Sequence, residues 1–321
     1  MPAVAIKDDL ELEIEELKQQ KNAVILAHYY QHPDIQDLAD FVGDSLQLSR
    51  QAAKVDKDVI VFAGVKFMAE TAKLLNPHRP VVLPDLSAGC SLVDGSPPAK
   101  FKAWRDQTPD HVVVTYINSS VELKAMSDYC VTSSNARQVI EAIPRDKKII
   151  FAPDKNLGAW LQKVTGREMR LWPGACMVHE VFSEKAVVQL KAQYPDAPLL
   201  AHPECEERVL RHADHTASTA GILEFAKKSP KSRFLIGTEA NMIHAMRKAA
   251  PDKEFIPVPT LSGCACNECP HMRRNTVQKL RDCLRDLKPA IEIPEALRAA
   301  ALRPIDAMFR VCDGALPTRG D

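Results

Sequence analysis

Short apolar runs alternate with longer helical patterns along most of this chain. The runs at 59–63 and 149–152 are too continuously apolar for strands with one solvated face, so they predict strands that are covered on both faces. Patterns typical of helices lie between such runs, for example at 45–54, 65–75 and 219–228. This alternation indicates parallel βαβ units in a three-layer α/β arrangement.

The same order of segments occurs three times in one register. Apolar runs open the repeats at 24–30, 112–118 and 198–204, and each repeat closes on a proline-containing turn followed by cysteine. Two sets of polar residues keep the register: His28, Tyr116 and His202 at offsets of 88 and 86, and Ser45, Ser133 and Ser218 at offsets of 88 and 85. Several tiers of residues in one register indicate a triplicated unit.

We therefore expect an α/β fold of three repeated three-layer αβα domains. Their parallel sheets should be related by a pseudo-threefold axis around a central active site, because ligands bind beyond the carboxyl ends of parallel strands. The predicted domains are 1–106, 107–191 and 192–275. Amphipathic patterns at 7–20 and 294–310 predict flanking helices, and we expect the segment 276–321 to pack on the first repeat.

Composition narrows the function to small-molecule chemistry. The 321 residues contain 42 Lys and Arg against 42 Asp and Glu, which removes any whole-chain electrostatic argument for nucleic acid or an anionic membrane. No apolar run approaches the ~18 residues of a membrane span, and the N-terminal stretch is charged, so we expect a cytoplasmic protein. The nine cysteines are odd in number and widely spread, which favours thiols or metal ligands over a disulfide framework.

One cysteine at the end of each repeat suggests a metal centre. Cys90 and Cys176 follow the first and second repeats, and the third repeat offers Cys264, Cys266 and Cys269. An iron-sulfur cubane ordinarily takes four cysteines, so three would leave one iron open to act as a Lewis acid. Repeat register favours Cys264 as the third ligand, whereas Cys266 and Cys269 form a CxxC that could be a redox disulfide or half of a zinc site.

The chain resembles the quinolinate synthase family over nearly its whole length. The motifs that carry the resemblance are Ala27-His28-Tyr29-Tyr30-Gln31, Gly43-Asp44-Ser45-Leu46, Thr115-Tyr116-Ile117-Asn118, Pro173-Gly174-Ala175-Cys176, His202-Pro203-Glu204-Cys205, Gly237-Thr238-Glu239 and Cys269-Pro270-His271-Met272. The resemblance implies a pseudo-threefold protein with a [4Fe-4S] cluster on three cysteines. It also implies condensation of iminoaspartate with dihydroxyacetone phosphate to quinolinate, phosphate and water in de novo NAD biosynthesis. The last cluster ligand would be the cysteine before Pro-x-Met, Cys269.

Further site residues combine this resemblance with chemistry. Both implied substrates are anionic, and Ser45, Ser133 and the pair Ser218–Thr219 lie where predicted helices begin, which offers N–H groups and the positive dipole end. The residues that match family active-site positions are His28, Tyr30, Tyr116, Asn118, His179, His202 and Glu204. We expect Tyr30, Glu204, His202 and Tyr116 to be catalytic, with Tyr30 and Glu204 moving protons.

Two alternatives differ in class or in chemistry. A non-catalytic iron-sulfur or zinc sensor would use the same cysteines, although the sequence lacks a basic recognition helix. An iron-sulfur hydro-lyase would dehydrate a hydroxy acid and release no phosphate. The implied partners are the two small-molecule substrates, with direct handover of the imine from L-aspartate oxidase as one route of supply.

Overall fold

Residues 9–314 are described by a computed structural model, and they form an α/β fold. Within this range, twelve strands form three four-stranded sheets in which every pair of neighbouring strands is parallel. The prediction of a three-fold repeated α/β fold with parallel sheets is confirmed.

The first sheet has the strand order β2-β1-β3-β4. Its elements are α1 (Asp9–Gln20), β1 (Ala23–His28), α2 (Pro33–Leu38), β2 (Phe41–Gly43), α3 (Ser45–Lys54), β3 (Val59–Ala63), α4 (Lys66–Leu75) and β4 (Val81–Val82). Every residue of β1 and β3 is buried, as the continuous apolar runs predicted.

The second sheet repeats that order as β6-β5-β7-β8. Its elements are α5 (Ser91–Asp94), α6 (Pro98–Arg105), β5 (Val112–Tyr116), α7 (Val121–Ala125), β6 (Tyr129–Val131), α8 (Ala136–Ala142), β7 (Ile149–Ala152), α9 (Lys155–Thr165) and β8 (Met169–Leu171).

The third sheet has the order β10-β9-β11-β12. Its elements are α10 (Glu184–Gln193), β9 (Leu199–Ala201), α11 (Glu207–Leu210), β10 (His215–Thr216), α12 (Thr219–Lys228), β11 (Arg233–Gly237), α13 (Met242–Ala249) and β12 (Glu254–Pro257). A 3-10 turn (Met272–Arg274), α14 (Val277–Asp286) and α15 (Glu295–Cys312) follow.

An aspartate clamps the first two strands of each sheet together, a feature that the sequence analysis missed. Its carboxylate accepts a hydrogen bond from a backbone N–H of the central strand, fifteen residues earlier in the chain. The three pairs are Asp40 with Ile25 (2.8 Å), Asp128 with Val113 (2.8 Å) and Asp214 with Leu199 (2.7 Å). Because the aspartates keep the offsets of 88 and 86, the sequence contained the signal.

The chain folds into two compact units. One contains the first sheet up to Gly89, together with Pro270–Ile293; the other contains Cys90–Cys269 and the chain from Pro294. In the first unit, α1 and α14 pack together against the sheet, and Ile14, Ile25 and Leu280 share one buried core. Residues 7 and 8 of the predicted N-terminal helix lie outside the described residues.

The expectation that the whole segment 276–321 packs on the first repeat was wrong for α15. This helix packs against α7, β6 and α8 of the second repeat, because its buried face, which includes Ala301, Ile305 and Met308, covers apolar side chains there. The contact is completed by a hydrogen bond of 3.1 Å from Gln138 Nε2 to the Val311 carbonyl. The predicted domain boundaries stay predictions, and residues 1–8 and 315–321 lie outside the described range.

Among residues 9–314, no helix combines the length and apolarity that crossing a bilayer requires.

Candidate active site

The second and third sheets bring two predicted site residues into direct contact. Tyr116 is the last residue of β5, and Glu204 lies in the loop that follows β9. The Tyr116 hydroxyl donates a hydrogen bond of 2.6 Å to Glu204 Oε1, and both side chains are buried. The carboxyl ends of these two parallel sheets therefore meet at a shared polar centre, which is where α/β proteins bind ligands.

Glu204 lies in the middle of this polar centre, next to two histidines. His179 Nδ1 lies 2.9 Å from Glu204 Oε2, and His202 Nδ1 lies 4.0 Å from Glu204 Oε1. Burial alone would raise the pKa of Glu204, but the charges of His202 and His179 and the hydrogen bonds from His179 and Tyr116 outweigh it and hold the pKa well below its usual range. Glu204 is therefore an ionised carboxylate in a buried site.

His179 connects Glu204 to a cysteine and to a threonine that follows a strand of the third sheet. Its Nδ1 also lies 3.3 Å from Cys176 Sγ, and its Nε2 lies 3.1 Å from Thr238 Oγ1. Its ring stacks on the His202 ring with centroids 4.6 Å apart and an interplanar angle of 26°. These contacts hold the buried imidazole in one orientation between the thiol and the carboxylate.

The three predicted ligand cysteines lie in one unit and act on one another electrostatically. Burial raises the pKa of Cys90 to about 12, and the charges of Cys269 and Glu204 add to this increase. Burial also raises the pKa of Cys176, with further contributions from Glu204, Cys90, Asp154 and Cys269. All three are reduced thiols with partly exposed side chains.

This donor set fits an iron-sulfur cluster by its chemistry. A thiol gives up its proton when a metal supplies the compensating positive charge, and iron-sulfur clusters are held by thiolates. Ligand atoms of Cys176, His179 and Glu204 also lie within 4.8 Å of one another, which is a second grouping that could hold a single metal ion. Soft thiolate donors such as those of the three cysteines suit iron-sulfur clusters.

The third repeat contains a disulfide between Cys264 and Cys266. This bond uses the sulfur of Cys264, the residue that the repeat register favoured as the third cluster ligand. It also excludes, in this structure, the CxxC bridge between Cys266 and Cys269. Cys269 is therefore the reduced cysteine of this segment.

The hydroxyl-bearing residues of this unit are only partly as predicted. Ser218 caps α12 by accepting a hydrogen bond of 3.2 Å from Gly221 N, and Thr219 is the first helical residue. Ser133, in contrast, does not begin a helix, because Asn135 is the residue that precedes α8. Its neighbour Ser134 donates a 2.7 Å hydrogen bond to Ser218 Oγ, a contact that sequence reasoning missed although a second serine stood beside Ser133.

Asn118 follows β5 and is partly buried. Its Oδ1 atom is shielded from solvent and has no hydrogen-bond partner among the described residues. Because an unsatisfied buried carbonyl oxygen is costly, this atom is well suited to accept a hydrogen bond from a ligand.

Three predicted residues belong to the other unit. His28 is the buried last residue of β1, and its Nδ1 accepts a 3.2 Å hydrogen bond from the backbone N–H of Tyr30. The two rings meet edge to face with centroids 4.5 Å apart. Ser45 is the first residue of α3, but Asp44 rather than Ser45 caps this helix, through a reciprocal pair of hydrogen bonds with Gln47.

Comparisons with known proteins agree with the resemblance seen in the motifs. Residues 12–310 match a family model described as "Quinolinate synthetase A protein". The chain is 58% identical over 304 residues to the quinolinate synthase of Chloroherpeton thalassium, covering 94% of each chain. It is 56% identical over 303 residues to that of Trichormus variabilis, again covering 94% of each chain. Over 308 residues it is 55% identical to that of Synechocystis, covering 96% of this chain and 97% of the relative.

Proposed function

Because this chain belongs to the quinolinate synthase family, we propose that it condenses iminoaspartate with dihydroxyacetone phosphate, using a [4Fe-4S] cluster. Membership of this family shows that the chain is an enzyme of quinolinate synthesis in NAD biosynthesis. The observation that carries the finer proposal is the buried Tyr116–Glu204–His179 network beside the thiol of Cys176.

Cys90, Cys176 and Cys269 would hold the cluster. A cluster held by three cysteines supplies an open iron, a Lewis acid that binds oxygen atoms of hydroxyl and carboxylate groups. Cys269 contributes electrostatically to the pKa of both Cys90 and Cys176, which indicates that the three thiols lie near one another and supports this assignment.

Proton transfer would use the network around Glu204. Tyr116 presents an O–H group and His179 an N–H group to opposite oxygens of one carboxylate, so a proton lost at one ring can be replaced through the other. The ionised carboxylate of Glu204 accepts hydrogen bonds from the Tyr116 hydroxyl and from His179 Nδ1, which holds both groups in the orientation that proton transfer requires. His202, stacked on His179, is placed to share that role.

Substrate binding would use neutral polar groups. Asn118 Oδ1 has no partner among residues 9–314, and the hydroxyl of Ser218 and the N-terminus of α12 provide donors for a carboxylate or phosphate. Thr219 and Ser133 remain candidates for the same anions. The roles predicted for the first repeat stay predictions, with His28 and Ser45 as binding residues and Tyr30 as a proton carrier.

The test is an anaerobic assay with iron and sulfide analysis. Protein reconstituted with iron and sulfide is mixed with dihydroxyacetone phosphate and freshly generated iminoaspartate, and quinolinate and phosphate are measured. We expect Cys90→Ala, Cys176→Ala and Cys269→Ala to lose the cluster and the activity. Cys264→Ala is the matched control and should retain both, since Cys264 is bonded to Cys266.

Two outcomes would contradict the proposal. Cluster-loaded protein that makes no quinolinate would refute the assigned reaction, and full cluster content in any of the three variants would refute the ligand set. The cytoplasmic location and the handover of the imine from L-aspartate oxidase remain predictions. A coupled assay in which a scavenger traps free imine tests the handover.

A further inference from the structure

Two buried acidic residues lie next to the loops that carry two of the proposed cluster ligands, Cys176 and Cys269. We propose that Asp154 and Glu239 are positioning residues that fix the loops of Cys176 and Cys269, an inference that rests on the proposed cofactor for its metal readout. Each acid follows the third strand of its repeat, β7 or β11, and each is fully buried. They lie 85 residues apart, which is the offset between these two repeats.

Glu239 holds the Cys269 loop directly. Its Oε1 atom accepts a hydrogen bond of 3.0 Å from the backbone N–H of Cys269 and another of 3.1 Å from Asn241 Nδ2. Its Oε2 atom accepts a hydrogen bond of 2.8 Å from the backbone N–H of Asn241. One carboxylate therefore ties the cysteine to the start of α13.

Backbone contacts strengthen the same attachment. The N–H of Ala240 donates a 3.0 Å hydrogen bond to the carbonyl of Asn267. The side chain of Asn267 donates a 2.7 Å hydrogen bond to the carbonyl of Val178, in the loop that contains His179. The short segment 267–269 is thus attached at three points, and the Glu239 contact is the one made to the cysteine itself.

Asp154 plays the corresponding part in the second repeat. Its Oδ1 atom accepts a 2.8 Å hydrogen bond from Leu157 N and so caps α9. Its backbone forms a bridge with Gly174, two residues before Cys176, and the Lys155 N–H donates a 2.8 Å hydrogen bond to the Gly174 carbonyl. Burial and the charge of Glu204 raise the pKa of Asp154, and a hydrogen bond from the backbone N–H of Cys176 partly offsets this increase.

Gly174 shows how closely the two segments approach. A Cβ atom at this position would clash with the carbonyl oxygen of Pro153. Only glycine allows the backbone of the Cys176 loop to lie against the end of β7 at this distance. The loop geometry is therefore set by backbone contact with the residues around Asp154.

Residues that orient metal ligands typically change metal affinity by about 10- to 100-fold when they are replaced. Glu239→Met removes both acceptor oxygens at similar side-chain length. We expect cluster-loaded Glu239→Met to lose iron to a chelator about tenfold faster than the parent protein. Glu239→Gln should lose iron more slowly than Glu239→Met, because its one amide oxygen can still accept from Cys269 N while only the Asn241 N contact is lost.

A second readout needs no cluster. Apo protein is treated briefly with iodoacetamide, and the alkylation rate of each cysteine is measured by peptide mass spectrometry, with the buried Cys130 as internal reference. Glu239→Met should raise the rate at Cys269 relative to that at Cys176, because a loop that opens more often exposes its thiol more often. Asp154→Leu should do the reverse. The control Glu224→Met, on the exposed face of α12, should change neither.

The outcomes separate this inference from the proposed function. Unchanged Cys269 alkylation in Glu239→Met, or an equal rise at all cysteines including Cys130, would overturn the positioning role. If the parent protein takes up no iron and sulfide, the cofactor proposal fails, while the alkylation ratios still decide whether the two acids fix the two loops. A selective rise at Cys269 that Glu239→Gln does not show would support the inference.

Discussion

Replacing Lys124 with methionine is the sharpest test of how the fold supports the candidate site. Lys124 lies in α7, and its side chain is fully buried. Its Nζ atom donates hydrogen bonds of 2.9 Å to the Ile117 carbonyl and 2.5 Å to the Ser119 carbonyl. These two carbonyls flank Asn118. Lys124 therefore fixes the loop that presents the Asn118 side chain.

The expected magnitude follows from the groups that methionine leaves behind. Methionine has nearly the same length but no donor, so the Ser119 carbonyl loses its hydrogen bond from Lys124 at a cost of about 1–3 kcal/mol. The Ile117 carbonyl keeps its 2.8 Å hydrogen bond from Ser119 N, so its loss is smaller, about 0.5–1.5 kcal/mol. Relief from burying an amino group offsets part of this loss. We therefore expect Lys124→Met to lower the free energy of unfolding by about 2–4 kcal/mol, which corresponds to a decrease in Tm on the order of 5–10 °C.

The assay can be confined to the relevant unit. All three tryptophans, Trp104, Trp160 and Trp172, lie in the unit that contains Lys124, so their fluorescence reports its thermal unfolding. The matched control is Lys163→Met, because Lys163 is an exposed lysine in a surface ion pair and should change Tm little.

The same variant has a functional readout. Loosening the loop around Asn118 should raise the KM for substrate more than it lowers kcat, provided that Asn118 binds substrate. A Tm shift in Lys124→Met no larger than that of Lys163→Met would refute the reasoning about the two carbonyls. A large Tm shift with unchanged KM would show that the loop is not part of the binding site.

Three further predictions test the network, the strand clamp and the loop approach. Tyr116→Phe should lower kcat/KM about 10- to 100-fold at unchanged iron content, because Glu204 loses a charge-assisted hydrogen bond worth about 1.5–3 kcal/mol. Burial would raise the pKa of Asp214, but the hydrogen bond from Lys191 and other contacts lower this pKa overall. The contribution of Asp214 to the free energy of unfolding is therefore present above the unfolded pKa of about 3.9. It is lost as the pH falls through the lower pKa of the folded state. The urea midpoints of Asp214→Asn and the parent should therefore differ at pH 7 and converge in strong acid; a constant difference would contradict the clamp. Gly174→Ala should reduce cluster loading and Tm together, and normal loading would show that the loop can shift without cost.

The fold could be predicted because the burial of each strand is reflected in the residues of that strand itself. A parallel strand covered on both faces must be apolar at nearly every position, and β1, β3 and β7 are buried throughout. Because the same pattern of apolar runs and polar residues occurs three times in one register, it is stronger evidence for the fold than one copy would be. The packing of α15 was not predictable in this way, since an amphipathic helix shows which face is buried but not which partner covers it.

The grouping of side chains in the candidate site could be predicted where chemistry restricts the residue type. Cysteine, histidine and tyrosine after strand ends are informative, and the structure brings Tyr116, Glu204 and His179 together. The acids behind the cysteines were not recognised, because the sequence gives no sign that Glu239 is buried and accepts the Cys269 N–H. Such roles depend on which backbone groups lack partners after folding.

The repeat register also explains why one carboxylate serves this centre. Tyr30, Asn118 and Glu204 occupy the same position in the three repeats, two residues after His28, Tyr116 and His202 respectively. A buried carboxylate is stable only with cationic or hydrogen-bonding partners, and Glu204 has these in His179, His202 and Tyr116. The buried Asp154 shows the cost of a second carboxylate, because burial and the charge of Glu204 together raise its pKa well above the usual value. Divergence of this position to an amide at Asn118 and a carboxylate at Glu204 therefore leaves one ionised acid in the network around His179.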